Sequence, residues 1–254
     1  MPQVVCLDFE GVICDSFTEC LLVAWNCAHD GSPTSFSLKA VEGLPAAFVE
    51  RFRRLRPYAR HLGHFLVALL EDVPPIQNQE DFETVYRRIP EAQVEAFARK
   101  ITTYRKQVRR ARRAEWLAAH HIYTGIAQIF TRCALPLYVV TARDRTSVRA
   151  VLNAARFCVP AECIYGDERA KVQALAHIWR RERVQPQDVL LVDDHLFNVL
   201  SAREAGYQAA WALWGCPQGE AKIDEAHGQG IAILHSVEEL SRLLQQPYVL
   251  PSLM

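Results

Sequence analysis

The sequence has no excess of either charge, because its 254 residues include 29 basic and 29 acidic side chains. Overall charge therefore gives no reason to expect nucleic-acid binding. No apolar run approaches the roughly 18 residues that a membrane-spanning helix needs, and no basic stretch typical of a signal peptide precedes Asp8. Half of the residues are hydrophobic, which is enough for a substantial core. We predict a globular, cytoplasmic protein without membrane or nucleic-acid partners.

The eight cysteines form no C-x-x-C pair of the kind found in zinc sites and thiol redox sites. Several of them lie in apolar stretches whose pattern is typical of strands or helices. Buried cysteines of this kind are common in cytosolic proteins, where thiols stay reduced. We therefore predict reduced thiols and no disulfide framework.

Hydrophobic periodicity changes twice along the chain. Val4–Phe9 is a short apolar run typical of a buried strand, whereas residues 15–125 show repeated helical periodicity with almost no strand pattern. Beyond Ile126 the pattern predicts helices at 126–133, 145–155, 169–182 and 196–205, and strands at 135–141, 163–165, 188–192 and 208–213. Such alternation implies a parallel sheet covered by helices on both faces. We predict an α/β, doubly wound, Rossmann-like core at 1–16 and 125–254, with an all-helical domain at 17–124 inserted after the first strand.

Polar residues follow three of the predicted strands. In an open parallel sheet the ligand crevice lies outside the carboxyl ends of the strands, so these residues are the first candidates for a site. Oxygen ligands from two acidic clusters, with no cysteine and only His195 nearby, suit a hard cation such as Mg²⁺. The candidates are Asp8 and Glu10 after the first strand, Thr141 after the second, Asp193 and Asp194 after the fourth, and Lys171 at the start of a helix.

Four motifs in this order resemble those of haloacid dehalogenase-like hydrolases. The segment Asp8-Phe9-Glu10-Gly11-Val12, followed by Asp15-Ser16, resembles the first family motif, D-x-D-G-[TV]-x-x-D-[ST]. Thr141 is similar to the second motif, Lys171 to the third, and Asp193-Asp194 with Asn198 to the fourth. The resemblance covers residues 1–16 and 126–247 and implies a Rossmann-like core with a helical cap domain that selects the substrate.

The resemblance also implies a reaction. In the family an aspartate attacks phosphorus, and water then hydrolyses the aspartyl-phosphate. Carried over, Asp8 is the nucleophile and Glu10 the general acid and base, while Thr141 and Lys171 bind phosphoryl oxygens. Mg²⁺ would be held by Asp8, the backbone carbonyl of Glu10 and Asp194, with Asp193 adding a contact. The expected function is Mg²⁺-dependent hydrolysis of a small phosphorylated metabolite.

Glu10 is the main departure from the family, which normally has aspartate at this position. Glutamate has the same chemistry, but its carboxylate lies one methylene farther from the backbone. Three functions therefore stay open: a phosphomonoester hydrolase, a phosphosugar mutase that uses the same aspartyl-phosphate, and a catalytically weak protein retained for binding. The sequence does not name the substrate.

Other polar residues have simpler interpretations. We predict that Asp15 and Asp144 cap helices, and that His195 is a polar residue at a helix start. A basic run without acidic residues is interpreted as a solvated helix face, with attraction of an anionic substrate or docking of an acidic partner as alternatives. A second basic cluster could share either role. The run comprises Arg99, Lys100, Arg105, Lys106, Arg109, Arg110, Arg112 and Arg113, and the second cluster Arg51, Arg53, Arg54, Arg56 and Arg60.

Overall fold

The computed structural model describes residues 1–167, 170–216 and 220–245. The chain forms two compact units, one made of Met1–Asp15 and Ile122–Met254 and the other of Ser16–His121. Arg169, where the sequence predicts a helix start, and residues 246–254 of the predicted core lie outside the described residues.

The first unit is built from alternating strands and helices, as the sequence predicts beyond Ile126. Its strands are β1 (Val4–Leu7), β2 (Cys14–Asp15), β4 (Leu137–Val140), β5 (Ile164–Tyr165), β6 (Val189–Asp193), β7 (Gln208–Ala212) and β8 (Ala232–Leu234); β3 (His121–Ile122) lies where the chain enters this unit again. Its helices are α6 (Ile126–Arg132), α7 (Arg145–Ala154), α8 (Lys171–Glu182), α9 (Leu196–Glu204), α10 (Glu220–Gly228) and α11 (Val237–Gln245), with 3-10 turns at Ala161–Cys163 and Pro186–Asp188.

Six of these strands form one parallel sheet in the order β5-β4-β1-β6-β7-β8. The central strand β1 is buried at all four positions, and burying each such valine or leucine side chain stabilises the fold by about 1.5–3 kcal/mol. Leu7 pairs with Val139 of β4 on one side and with Val192 of β6 on the other. The carboxyl ends of these three strands therefore meet at one edge of the sheet. The predicted α/β fold with a parallel, helix-covered sheet is confirmed.

Two predictions about helix N-caps can be compared directly with the structure. Asp144 caps α7 as predicted, because its Oδ1 accepts a hydrogen bond from the backbone N–H of Ser147 at 2.8 Å. The prediction for Asp15 is wrong, since α1 (Phe17–Ala28) has Ser16 at its N-cap position. Asp15 instead belongs to β2, whose extended backbone delays the helix start by one residue.

The end of α9 and the edge strand β8 differ in how clearly the sequence signals them. Gly206 follows α9 with a φ of +86°, and its N–H donates to the carbonyl oxygen of Arg203 at 2.9 Å. A glycine in this conformation commonly follows the last turn of a helix, and the observed end agrees with the helix predicted at 196–205. The sequence pattern gave no strand at Ala232–Leu234, because three residues are too few to establish a period.

The second unit is helical, as the periodicity of residues 15–125 predicts; in the described residues β3 is the exception at its end. Its α-helices are α1, α2 (Ala46–Leu55), α3 (Gln79–Tyr86), α4 (Glu91–Ala111) and α5 (Arg113–Ala118), with 3-10 segments at Pro33–Ser35, Leu38–Gly43, Arg56–Tyr58 and Leu62–Leu69. No helix in the described residues is both long and apolar enough to cross a bilayer. The role of this unit as a cap stays a prediction.

The basic run on α4 and α5 is a solvated face with one correction. Arg99, Lys106 and Arg110 are exposed, but Arg105 is buried. Its Nε and Nη2 donate to the two carboxylate oxygens of Glu19 at 2.7 and 2.9 Å. The reason is helical spacing, because Arg105 falls on the same face as the buried residues Ile101 and Val108.

Candidate active site

Lys171 links two carboxylates at the carboxyl edge of the sheet. It begins α8, and its Nζ lies 2.7 Å from Oδ2 of Asp8 and 2.6 Å from Oδ2 of Asp193. Burial alone would lower the pKa of the Lys171 ammonium, but the adjacent carboxylates of Asp193 and Asp8 raise it above its ordinary value. Lys171 is therefore a fixed positive charge between two acidic residues.

Asp8 is held by the neighbouring strand β6 and by its own loop. Its backbone N–H donates to the carbonyl oxygen of Val192 at 2.9 Å, and its Oδ1 accepts from the N–H of Phe9 at 2.6 Å. Burial raises the pKa of Asp8 to about 6, although Lys171 opposes that rise. The carboxylate thus has a fixed orientation, with one oxygen on the loop backbone and the other on Lys171.

Asp193 positions its neighbours. It is fully buried, and its two carboxylate oxygens accept hydrogen bonds from Lys171, from the backbone N–H of His195 at 2.9 Å, and from Nδ2 of Asn198 at 3.1 and 3.2 Å. Asp193 therefore ties the start of α8 to the start of α9. His195 stands at the N-cap position of α9, so the prediction of a polar residue at a helix start is confirmed.

Asp194 lies against the backbone of the loop that follows β1. Gly11 has a φ of +80°, and a Cβ added there would lie 2.1 Å from Oδ2 of Asp194. A Cβ on Gly215 would lie 1.8 Å from the carbonyl oxygen of Gly11. Glycine is required at both positions because the loop, the Asp194 carboxylate and the segment at Gly215 are in close contact. No motif or periodicity in the sequence indicated this role for Gly215.

The donor set at this edge suits a hard cation. Asp8, Asp193 and Asp194 each offer a carboxylate oxygen, and these atoms lie within 4.8 Å of one another. All three candidate donor atoms are oxygens, a set that suits hard cations such as Mg²⁺ better than softer metals. The oxygens of Asp193 already accept hydrogen bonds from three residues, so Asp8 and Asp194 are the better candidates for direct ligands.

Thr141 and Glu10, the other predicted residues, lie in the loops after β4 and β1. Thr141 is buried; its N–H donates to the carbonyl oxygen of Tyr165 at 2.9 Å, and its Oγ1 accepts from the N–H of Arg143 at 3.2 Å. Oε1 of Glu10 accepts from Nη1 of Arg143 at 2.7 Å. Sequence reasoning assigned no role to Arg143. The available signal was a glutamate at an aspartate position together with an arginine two residues after Thr141.

A family model for haloacid dehalogenase-like hydrolases matches residues 2–206, which is most of the chain. The protein therefore belongs to the haloacid dehalogenase-like hydrolase family. Comparison with curated protein sequences found no match.

Solved structures of low sequence identity share the fold. A hydrolase from Pseudomonas syringae is 14% identical with a TM-score of 0.61, and the match covers 97% of this chain and 100% of that one. A haloacid dehalogenase-like family protein from Streptococcus pneumoniae is 16% identical with a TM-score of 0.60, covering 96% and 99%. A predicted phosphatase from Clostridium acetobutylicum is 14% identical with a TM-score of 0.55, covering 97% and 100%.

Proposed function

We propose that this protein hydrolyses a phosphate monoester in a Mg²⁺-dependent reaction, with Asp8 as the nucleophile. The observation that carries the proposal is the buried arrangement of Lys171 between Asp8 and Asp193, with Asp194 close by. A lysine fixed beside an aspartate can offset the charge of a phosphoryl group that approaches that aspartate. Family membership and the name of the Clostridium acetobutylicum phosphatase agree with this chemistry.

In the proposed first step an oxygen of Asp8 attacks phosphorus. A bond forms between Asp8 and phosphorus, the ester P–O bond breaks, and the leaving alcohol oxygen takes a proton from Glu10. In the second step Glu10 takes a proton from water, which attacks phosphorus and releases phosphate and free Asp8. Lys171 and Thr141 would bind phosphoryl oxygens in both steps, while Asp193 would keep Lys171 in position.

Asp8, Asp194 and the backbone carbonyl of Glu10 would hold the metal ion in this proposal. Bound Mg²⁺ would supply positive charge that offsets the repulsion between the phosphate and the site carboxylates. Among the described residues, Lys171 places one positive charge beside the three clustered aspartates, so a dianionic phosphate would meet strong repulsion without a further cation.

The substrate class that fits this site is a small phosphorylated metabolite. Its identity would depend on groups outside the phosphate-binding residues, which the predicted cap would provide. The proposal therefore concerns the phosphate end of the substrate and the reaction at phosphorus.

A panel of phosphate esters, assayed for phosphate release with MgCl₂ or with EDTA, tests the proposal. We expect turnover with Mg²⁺ and none in EDTA, and we expect Asp8→Asn to be inactive because an amide is a poor nucleophile. Asp144→Asn is the matched control, since asparagine also caps helices and should preserve α7.

Each part of the proposal has its own contradicting outcome. Full turnover in EDTA would refute the metal requirement, and full turnover by Asp8→Asn would refute the nucleophile. If the folded, unmodified protein released no phosphate from any ester, a binding role would replace the proposed hydrolase. Isomerised phosphosugar instead of free phosphate would identify the mutase alternative.

A further inference from the structure

A partly buried ion pair joins the unusual Glu10 to Arg143. Nη1 of Arg143 lies 2.7 Å from Oε1 of Glu10, and the two residues are 133 positions apart in the sequence. The Arg143 side chain has no exposed surface, whereas the Glu10 side chain is 20% exposed. One end of this pair is therefore enclosed by protein, and the other reaches accessible surface.

The backbone around Arg143 is held on both sides. Its N–H donates to Oγ1 of Thr141 at 3.2 Å, and its carbonyl oxygen accepts from the N–H of Asp167 at 3.0 Å. A Cβ on Gly166 would lie 2.8 Å from that same carbonyl oxygen, so the two loops are in close contact. The guanidinium group therefore starts from a fixed backbone position.

Glutamate needs such an anchor more than aspartate does. Its additional methylene adds a rotatable bond, and a free side chain would spend part of its time in unproductive rotamers. Arginine is suited to restrict it, because its charge is permanent and its planar group gives directional hydrogen bonds. An aspartate at position 10 would end one methylene short of the observed contact with Arg143.

We propose that Arg143 is a positioning residue that holds the carboxylate of Glu10 for catalysis, so that Glu10 and Arg143 together do the work of the shorter aspartate usual at this position. This inference rests on the proposed hydrolase function and deepens it. Because the guanidinium group has no exposed surface, Arg143 acts on the reaction through Glu10 and not by contact with the substrate.

The test uses the full-length protein, Mg²⁺ and the best ester from the panel. The variants are Arg143→Gln, Arg143→Lys, Glu10→Asp and the Glu10→Asp, Arg143→Gln double variant. Arg149→Gln is the matched control, because Arg149 is an exposed arginine on α7. Circular dichroism and thermal unfolding establish that each variant is folded before kcat and KM are measured.

A displacement of about 1 Å can cost on the order of a hundredfold in rate, so we expect Arg143→Gln to lower kcat by about 10- to 100-fold. KM should change by less than about twofold, because no contact with the substrate is lost. Glu10→Asp should also lower kcat, since the shorter side chain does not reach Arg143. The double variant should be no slower than the slower single variant, because both changes break the same pair.

The following outcomes would overturn the inference. They are an unchanged kcat in folded Arg143→Gln, a raised KM with unchanged kcat, strictly multiplicative losses in the double variant, and an equal loss in Arg149→Gln. If Arg143→Gln does not fold, Arg143→Lys decides, and loss of the fold in both would favour a purely structural role. Absence of turnover by the unmodified protein would instead overturn the proposed function, and this inference with it.

Discussion

Replacing Gly11 with alanine should damage the site more than the fold. The added Cβ would lie 2.1 Å from Oδ2, 2.3 Å from Cγ and 2.8 Å from Cβ of Asp194, whereas ordinary contacts of a Cβ begin at 3.4 Å. The Asp194 carboxylate would therefore have to move by about 1.3 Å to reach 3.4 Å from its present 2.1 Å. A movement of that size at a proposed metal ligand is expected to lower turnover by about a hundredfold or more.

Gly206→Ala separates this effect from backbone strain. Gly206 has a φ of +86°, similar to the +80° of Gly11, but a Cβ at Gly206 would have no atom within 4 Å. Both variants should lose about 1–2 kcal/mol of unfolding free energy from the left-handed backbone. Gly11→Ala should lose about 1–3 kcal/mol more from overpacking.

The assays are ester turnover, Mg²⁺ binding by isothermal titration calorimetry, and urea unfolding. We expect Gly206→Ala to keep nearly full turnover and Mg²⁺ affinity, while folded Gly11→Ala loses both. Normal Mg²⁺ affinity and turnover in Gly11→Ala would refute the argument that the Asp194 carboxylate needs the space above this glycine. Equal losses in the two variants would assign the effect to backbone strain.

Three further predictions concern charge and thiol chemistry. Asp194→Asn should weaken Mg²⁺ binding measured by calorimetry, and unchanged affinity would remove Asp194 from the metal site. Arg105→Met should lower the unfolding free energy by about 3–5 kcal/mol, because it leaves Glu19 buried without its guanidinium partner. Lys106 is exposed, so Lys106→Met should change the unfolding free energy by less than about 0.5 kcal/mol. Urea unfolding checks this, and equal effects would contradict it. Burial raises the pKa of the Cys27 thiol to about 12, so Cys27 should resist iodoacetamide from pH 7 to 10 while exposed Cys158 reacts. Mass spectrometry after labelling distinguishes the two cysteines, and equal labelling would show that Cys27 is accessible.

The strand-end residues could be predicted from the sequence because a parallel sheet brings the carboxyl ends of its strands together. Asp8, Thr141 and Asp193 each follow or end a strand of apolar residues, and strands β1, β4 and β6 are neighbours in the sheet. The contacts of Lys171 were less predictable. Its place at a helix start was visible, but its distances to Asp8 and Asp193 depend on how α8 packs against the sheet.

In the second unit, the sequence pattern did not predict the burial of Arg105. The sequence pattern treated the basic run as a single solvated face, although Arg105 occupies a core position between Ile101 and Val108. That interpretation considered the charge of each side chain and not the helix face on which it lies. The acidic partner that makes burial possible, Glu19, is 86 residues away in the sequence, so a local pattern does not reveal it.

The sequence by itself determined the alternation of strands and helices, the family and the set of acidic residues at the strand ends. These features depend on local hydrophobic period and on motifs of a few residues, which a chain carries before it folds. Only the tertiary structure decided that Arg143 pairs with Glu10 and that Gly215 lies against Gly11. It also decided that Asp193 accepts hydrogen bonds from Lys171, His195 and Asn198. These contacts depend on the distances between loops that lie far apart in the chain, and such distances are set by the packing of the sheet and its helices.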